Sequence, residues 1–167
     1  ITEKERELLD AAALGLGALG IIVSVTLQCV PSFLLRAQEA PDTLEHVLDT
    51  YAERTQSSDH FEFYWFPHTK NVRTKTNTRL EMSITPNPLN PLARWVDEEF
   101  VNNALLSAVL AGEYLAPRMI PTVNRMIDTV SSQREYIDRS YRVFVTQRRV
   151  RFKETEFAVP VEQVPEI

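Results

Sequence analysis

The spacing of apolar residues in the first half of the chain predicts a helix followed by a hairpin. Between residues 43 and 55, four apolar side chains recur at helical spacing: Leu44, Val47, Leu48 and Tyr51. This spacing predicts an amphipathic helix from Thr43 to about Thr55. Because Asp42 and Glu45 stand three residues apart at its start, they resemble a capping box, and we expect Asp42 to be the N-cap.

An aromatic run with period-two alternation follows this helix. Three aromatic residues alternate with three further side chains: Phe61, Phe63 and Trp65 with Glu62, Tyr64 and Phe66. The pattern predicts a strand that is buried on one face and largely on both. A turn over residues 67–71 and a second alternating run over residues 72–80 complete a predicted β-hairpin.

The second half of the chain predicts two helices and more strand. A long helix is expected from about Val96, with five inward-facing residues: Phe100, Ala104, Leu105, Ala108 and Val109. A second helix is expected near residues 122–130, and residues 142–150 and 152–159 predict one strand, or two joined by a bulge. The polar segment 131–140 and the proline-bounded segment 31–41 are expected to be connectors. These separate helices and strands predict an α+β fold, an antiparallel sheet with helices packed on it.

A glycine-rich string near the start matches the pattern GxGxxG, from Gly15 to Gly20. In a Rossmann dinucleotide site this string follows a strand and opens a helix. Here the residues before it, 3–13, have helical spacing, and the residues after it, 21–27, are a β-branched run. The order favours a turn between a helix and a strand, where Gly17 and Gly20 allow a backbone or a ligand to approach closely.

Residues 11–35 contain no charged side chain, and an uncharged stretch of this length can cross a bilayer. Glycines and Pro31 interrupt the run, its middle alternates with period two, and the preceding residues are net acidic. These features favour a strand over a membrane span. At the end of that strand Cys29, the only cysteine of the chain, is expected to lie in the core.

Composition removes several classes of function. Apolar residues make up 44% of the chain and charged residues 25%, which is typical of a globular domain. The net charge of -5 argues against nucleic-acid binding, and the basic segment 148–153 is better explained as a solvated strand face. The three histidines have no metal-ligand spacing and no cysteine support, so no metal site is predicted.

Two residues remain as candidate substrate contacts. His68 follows the aromatic strand, where it is either a surface turn residue or a contact for a substrate held beside a rigid sheet. Glu156 and Glu154 share strand parity with apolar neighbours. Either a bulge turns these carboxylates outward or they point toward a covered face, and burial without a partner would be unfavourable.

Three segments together resemble one family of flavoproteins. The string LGLGALGIIVSVTLQ (14–28) resembles the last segment of the FAD-binding domain in vanillyl-alcohol-oxidase-type flavoproteins. The strings DHFEFYWFPHTKNVRTKTNTR (59–79) and YRVFVTQRRVRFKETEFAVP (141–160) resemble the cap domain of the aldonolactone oxidoreductases. That group includes L-gulonolactone oxidases and dehydrogenases and D-arabinono-1,4-lactone oxidases, and the WFPHT string is its most specific part here.

The resemblance implies a domain division and a reaction. Residues 1–35 would be the tail of an FAD-binding domain, and residues 36–167 the first part of the cap, or substrate, domain. FAD would take a hydride from C2 of a sugar-acid lactone while a protein group removes the hydroxyl proton, and the electrons would pass to oxygen or another acceptor. Gly17, Gly20 and Ile22 would lie beside FAD.

The same resemblance implies that the reacting groups lie elsewhere. The family's proton-handling Glu and Arg fall past residue 167 and its FAD-linking histidine falls before residue 1, so no catalytic residue is expected in this chain. The isolated chain should therefore be inactive, and its expected partner is the rest of the FAD-binding domain. A cytoplasmic location is expected, with peripheral membrane contact left open. The alternative is a non-catalytic α+β interaction module, tethered to a membrane through residues 11–35.

Overall fold

A computed structural model describes most of the chain: residues 6–13, 15, 17–96, 99, 103–104, 106–128, 133–146, 149–151 and 153–166. The chain divides into two compact units, Ile1–Pro31 and Ser32–Ile167. Within the described residues no helix is long and apolar enough to cross a membrane.

The first unit contains one helix and the glycine turn. Helix α1 spans Arg6–Ala13, and the backbone N–H of Ala18 then donates to the carbonyl of Gly15 at 2.8 Å. The predicted helix and turn are thus confirmed over these residues.

The strand predicted after the glycine turn is wrong. Residues 21–30 have no strand partner within the described part of their own unit, and a strand exists only where its backbone groups are paired. Their apolar side chains are correspondingly exposed, with Ile21 and Val23 each 92% exposed. Cys29 is exposed as well, so its predicted place in a core is also wrong, because the strand that would bury it does not form.

The second unit is built on a four-stranded antiparallel sheet, which confirms the α+β class. Its strands, in chain order, are β1 (Leu34–Thr43), β2 (His60–Trp65), β3 (Asn71–Leu80) and β4 (Arg134–Arg139). Their spatial order is β2-β3-β1-β4, so β1 and β3 are central. The hairpin of β2 and β3 is the one that the sequence predicted.

Helix α2 (Leu44–Ser57) confirms the predicted amphipathic helix, with Val47 and Tyr51 buried. Its N-cap, however, is Thr43, whose Oγ1 accepts from the N–H of His46 at 3.2 Å. The prediction of Asp42 is wrong by one residue because the helix begins at Leu44, so Thr43 and not Asp42 stands directly before its first turn. The Asp42 carboxylate instead accepts from the N–H of Thr43 and pairs with His46 and Arg54.

The structure describes further helical segments in the second unit: α3 (Pro91–Trp95), α4 (Leu106–Leu115), a 3-10 turn (Pro117–Met119), α5 (Ile120–Asp128), α6 (Ser140–Phe144) and a 3-10 segment (Val161–Glu166). Helix α5 confirms the helix predicted near residues 122–130, of which the last two lie outside the described residues. Helix α4 falls within the predicted long helix, but Ala104 and Ala108 are exposed rather than inward-facing. Phe100 and Leu105 lie outside the described residues.

Both predicted connectors are wrong, because each contains a strand. Segment 31–41 supplies most of β1, and segment 131–140 contains β4. Prolines at both ends suggested a loop, but Pro41 lies beyond the last residue of β1 that the described ladder pairs with β4. Only β3 is described as its partner, and a proline is tolerated in a strand where its nitrogen is not needed for a ladder hydrogen bond.

Two predictions about strand burial and extent are also wrong. Strand β2 is not buried on both faces: it is an edge strand, and Tyr64 and Trp65 are exposed. The strand expected over residues 142–159 is absent from its described part, where α6 is followed by residues without regular structure. Their β-branched residues favour strands only when a neighbouring strand supplies the partner groups.

Candidate functional site

The backbone of the glycine turn is open to approach. Gly17 and Gly20 have φ angles of +83° and +138°, which favour glycine, and a Cβ at either position would meet no heavy atom within 4 Å. At Gly15, in contrast, a Cβ would lie 2.8 Å from the carbonyl oxygen of Ala11. Gly15 therefore serves packing inside its own unit, whereas the described residues leave open space beside Gly17 and Gly20. Ile22, just beyond them, presents an exposed apolar side chain.

These observations fit the close approach of a flat cofactor. The main chain at Gly17 and Gly20 has room beside it, and Ile22 supplies apolar surface two residues later. The described residues of this turn, 15 and 17–20, carry no charged side chain, so a cofactor here would be held by main-chain groups and apolar contact. The three residues that the resemblance singled out are thus compatible with an FAD contact.

His68 lies on a rigid turn in an uncommon backbone conformation. Its φ angle is +71°, which a non-glycine residue adopts only when the surroundings hold it there. Three contacts hold the turn. Thr69 Oγ1 donates to the carbonyl of Phe66 at 2.7 Å, Trp65 Nε1 donates to the carbonyl of Thr69 at 3.0 Å, and Asn124 Nδ2 donates to the carbonyl of Pro67 at 3.0 Å. The imidazole itself is exposed, which fits both a surface turn residue and a substrate contact.

Glu156 and Glu154 are both exposed, in a stretch without regular structure. The strand that gave them a shared parity is not formed there, so neither carboxylate points toward a covered sheet face. Among the described residues no hydrogen bond or ion pair joins Glu156 to His68. The two candidate substrate residues therefore stand separately.

One face of the sheet concentrates charged side chains that the sequence analysis did not single out. Because side chains alternate along a strand, the register places Glu39 on the same face as Lys75 of β3 and Arg134 of β4. Further along, the same face carries Tyr136 and Asp138. Helix α6 packs over it through a small apolar cluster: Leu35, Ala37, Tyr136 and Val143.

Glu39 is the centre of this face and is only 4% exposed. Arg134 Nε donates to its Oε2 at 2.8 Å, Arg134 Nη2 donates to its Oε1 at 3.1 Å, and Arg73 pairs with it from the other neighbouring strand. Tyr136 OH also donates to Oε1 at 3.3 Å. Burial raises the pKa of Glu39, but hydrogen bonds and charge attraction from Arg134 and Arg73 outweigh burial and hold that pKa below its ordinary value.

Asp138 and Lys75 extend the charged face to either side of α6. Asp138 is 5% exposed, accepts from the N–H of Arg139 at 2.7 Å, and faces Arg94 Nη1 at 3.3 Å. Lys75 Nζ donates to the carbonyl of Val143 at 2.9 Å and lies 3.4 Å from a Glu62 carboxylate oxygen. A cleft beside α6 is lined by eight polar side chains: Glu39, Lys75, Arg94, Arg134, Tyr136, Asp138, Arg142 and Thr146.

Asn77 lies on the same face, next to Ala37 in the register, and is fully buried. Within the described residues neither its Oδ1 nor its Nδ2 has a hydrogen-bond partner. Buried polar atoms are normally paired, because leaving one unpaired is unfavourable by about 1–3 kcal/mol. This face thus carries more hydrogen-bonding capacity than the described residues use.

The sequence analysis missed the charged cleft because it treated the segments that form β1 and β4 as connectors. Glu39 comes from the segment 31–41, and Tyr136 and Asp138 from the segment 131–140. The period-two order Leu35, Ala37, Glu39 was the available signal, since it places an acid in line with two apolar residues. Two flanking prolines and a polar composition outweighed that short pattern.

Comparison with known proteins gives consistent matches. The profile of the D-arabinono-1,4-lactone oxidase family matches residues 25–167. An L-gulono-1,4-lactone dehydrogenase of Mycobacterium tuberculosis (strain H37Rv) is 39% identical over 152 residues, which cover 91% of this chain and 35% of that protein. An L-gulonolactone oxidase of Scyliorhinus torazame is 31% identical over 95% of this chain and 35% of its own length.

A more distant match is a D-arabinono-1,4-lactone oxidase of Kluyveromyces lactis, 25% identical over 75% of this chain and 23% of that protein. The chain therefore spans about a third or less of the length of these relatives.

Proposed function

The chain belongs to the D-arabinono-1,4-lactone oxidase family, and from that membership we propose that the natural protein is an FAD-dependent oxidoreductase acting on a sugar-acid 1,4-lactone. The observation that carries the proposal is the family match over residues 25–167, which covers all of the sheet unit. The matching relatives are named as enzymes for L-gulono- and D-arabinono-lactones, so the substrate belongs to that class.

We assign residues 1–35 to the end of the FAD-binding domain and residues 36–167 to the first part of the cap domain. The division of the chain into compact units at Pro31 and Ser32 supports a boundary in this region. The open glycine turn supports a cofactor contact in the first part, and the sheet with its polar cleft supports a substrate role in the second.

In this proposal the chain contributes to binding rather than to the reacting centre. The main chain at Gly17 and Gly20 admits the cofactor, and Ile22 supplies apolar contact that excludes water from it. Bound FAD would supply the hydride acceptor for C2 of the lactone, whose hydroxyl becomes a carbonyl as its proton leaves to a base outside this chain. His68 and Glu156 remain candidate substrate contacts, and the rigid turn that presents His68 supports its share of the role.

The remaining partners follow from the same class of reaction. The electrons pass on to oxygen or another acceptor, and the rest of the FAD-binding domain completes the cofactor site. The single cysteine, Cys29, fits a reducing compartment and supports a cytoplasmic location, with peripheral membrane contact as the alternative.

The test is spectroscopic and catalytic, on the natural protein that contains this chain. Purified protein should show the visible absorbance of a flavin, and L-gulono- or D-arabinono-1,4-lactone should bleach it in the absence of oxygen. A galactose solution, which offers hydroxyls without a lactone, is the matched control. A protein without flavin absorbance and without lactone-dependent reduction would contradict the proposal and favour the non-catalytic interaction module.

A further inference from the structure

The turn that carries His68 has the geometry of a type II β-turn. The N–H of Thr69 donates to the carbonyl of Phe66 at 3.2 Å, which closes a turn of four residues. Pro67 occupies the second position of this turn and His68 the third, where φ is +71°. A type II turn requires a positive φ at its third position and often has proline at its second. Glycine or asparagine usually occupies that third position, so an imidazole there is unusual.

His68 is strained at this position, where glycine would not be. A side chain in the left-handed region crowds the backbone, and such conformations persist only where the surroundings hold them. The hydrogen bonds described at this turn are made by neighbouring residues, and none of them involves the imidazole. Strained residues are concentrated at active sites and ligand clamps. The strain therefore favours a contact of the imidazole with a group outside the described residues.

Asn124 of α5 holds the peptide that distinguishes this turn from the commoner type I. The second ψ and third φ are about −30° and −90° in type I but about +120° and +80° in type II, so the central peptide is flipped between them. The carbonyl of that peptide belongs to Pro67, and Asn124 Nδ2 donates to it at 3.0 Å. Asn124 is only 6% exposed. Its hydrogen bond therefore favours the peptide orientation that gives His68 a positive φ.

The other described contacts hold the ends of the turn. Trp65 Nε1 donates to the carbonyl of Thr69 at 3.0 Å, and Thr69 Oγ1 donates to the carbonyl of Phe66 at 2.7 Å. These bonds join the first and last residues of the turn, and neither reaches its central carbonyl. Among the described hydrogen bonds, the one from Asn124 is thus the one that selects between the two turn types.

We propose that Asn124 is a positioning residue that keeps the His68 turn in its type II form and so presents the imidazole to the sugar lactone. The inference rests on the proposed function and deepens it by naming the residue that orients one candidate substrate contact. A neutral imidazole has one nitrogen that donates and one that accepts, which matches the hydroxyl and carbonyl groups of a lactone. Asn124 acts only through the carbonyl of Pro67.

The proposed role is one of preorganisation. Without the hydrogen bond from Asn124, a flip of the central peptide to type I would relieve the strain at His68 and redirect its side chain. A contact that is held in place before binding reduces the entropy that the ligand must lose. Loss of Asn124 should therefore weaken lactone binding through His68.

The experiment is a double-mutant cycle in the natural full-length enzyme, with L-gulono- and D-arabinono-1,4-lactone as substrates. His68→Gly suits a positive φ, so the urea midpoint should stay unchanged or rise, while kcat/KM falls about three- to tenfold, mainly through KM, as for one lost hydrogen bond. Asn124→Leu keeps the branched shape without the donor and should lower kcat/KM by a similar or smaller factor. The double variant should lose no more than His68→Gly alone, because Asn124 acts through His68.

Two control variants accompany the cycle. Thr122→Val changes an exposed residue on the same helix and should leave kcat/KM unchanged. His68→Asn tolerates a positive φ and still offers hydrogen bonds, so it should retain part of the activity that His68→Gly loses. Flavin absorbance and urea unfolding show whether each variant is folded, and Asn124→Ala takes the place of Asn124→Leu if leucine prevents folding at this buried site.

The outcomes separate the two proposals. A wild-type enzyme that holds flavin and oxidises the lactones, with unchanged kcat/KM in His68→Gly, would overturn this inference alone. Losses that multiply in the double variant would overturn it too, because they would show that Asn124 acts independently of His68. A wild-type protein without flavin or lactone oxidation would overturn the proposed function and this inference together.

Discussion

Two stretches that follow each other in the sequence, residues 21–30 and strand β1 (Leu34–Thr43), each have the opposite structure from the one that their sequences predict: the predicted strand is not formed, and the predicted connector is a strand. The first is a β-branched run with alternating polarity, yet it has no strand partner among the described residues of its unit and exposes Ile21 and Val23. The second contains Pro41 and Glu39, yet it is a central strand paired with both β3 and β4. The comparison teaches that pairing partners decide strand formation, and that strand propensity acts mainly through them.

The ion pairs of Glu39 explain how β1 forms a central strand although it contains an acidic residue. Glu39 is compensated by Arg134 from β4 and Arg73 from β3, so the two neighbours that pair with the backbone also neutralise the buried acid. Leu34, Leu35 and Ala37 supply the apolar burial. In residues 21–30 the apolar side chains are present but no such neighbours are described, so burial does not follow.

The largest expected effect comes from truncating a buried residue of β1. Leu35 is fully buried, and Leu35→Ala should lower the free energy of unfolding of the 167-residue chain by about 3 kcal/mol, through lost burial and the cavity left behind. The matched change in the other stretch, Val23→Ala, should alter it by less than about 0.5 kcal/mol. Urea denaturation followed by circular dichroism measures both, and equal effects would break the comparison.

A smaller loss is expected from neutralising Glu39. Glu39→Gln leaves Arg73 and Arg134 beside an uncharged amide and should destabilise the chain by about 2 kcal/mol, reduced from the value for a fully buried pair because both arginines are partly exposed. Glu135→Gln is the control, since Glu135 is exposed on β4. If both variants unfold at the same urea concentration, Glu39 does not hold the strands together.

The pH dependence of the free energy of unfolding tests the same role of Glu39. The pKa of Glu39 is lowered in the folded state, so its stabilising effect is present above its unfolded pKa and is lost as the pH falls through the folded value. Asp42 has a lowered pKa too: burial raises it, but hydrogen bonds from His46, Arg54 and the Thr43 N–H, with the charge of Arg54, lower it further, so it contributes in the same direction.

Stability should therefore fall on acidification below the ordinary carboxyl range, and less steeply in Glu39→Gln than in the wild type. Urea titrations at a series of pH values measure the two slopes. Parallel curves for the two proteins would contradict the role assigned to Glu39.

The smallest effect on the fold, but a specific effect on the cofactor, is expected at Gly20. In the natural protein Gly20→Val adds a branched side chain where close approach of FAD is proposed, so flavin content should drop while the sheet unit stays folded. Gly20→Ala separates the causes, because it shares the backbone strain at φ +138° without the bulk. Full flavin occupancy in Gly20→Val would show that no contact with FAD requires glycine at this position.

Much of the fold could be predicted from local patterns in the sequence. The amphipathic helix α2, the hairpin of β2 and β3 and the glycine turn each depend on contacts within a few residues, so spacing and turn chemistry predicted them. The residues of the candidate site were harder to predict from the sequence. Gly17, Gly20 and Ile22 were named from a resemblance, His68 from a turn position and Glu156 from strand parity. In contrast, Glu39, Arg73 and Arg134 meet only through strands that are distant in sequence.

The sequence by itself determined the α+β class, the family and the elements whose hydrogen bonds close locally. Tertiary structure alone decided that residues 34–43 are a central strand and that Glu39 joins two arginines from other strands. It also decided that residues 21–30 find no strand partner in the part of their unit that the structure describes. The physical reason is that a strand satisfies its backbone groups, and a buried acid its charge, only through residues far away in the chain. Such partners become identifiable only when the sheet order is known.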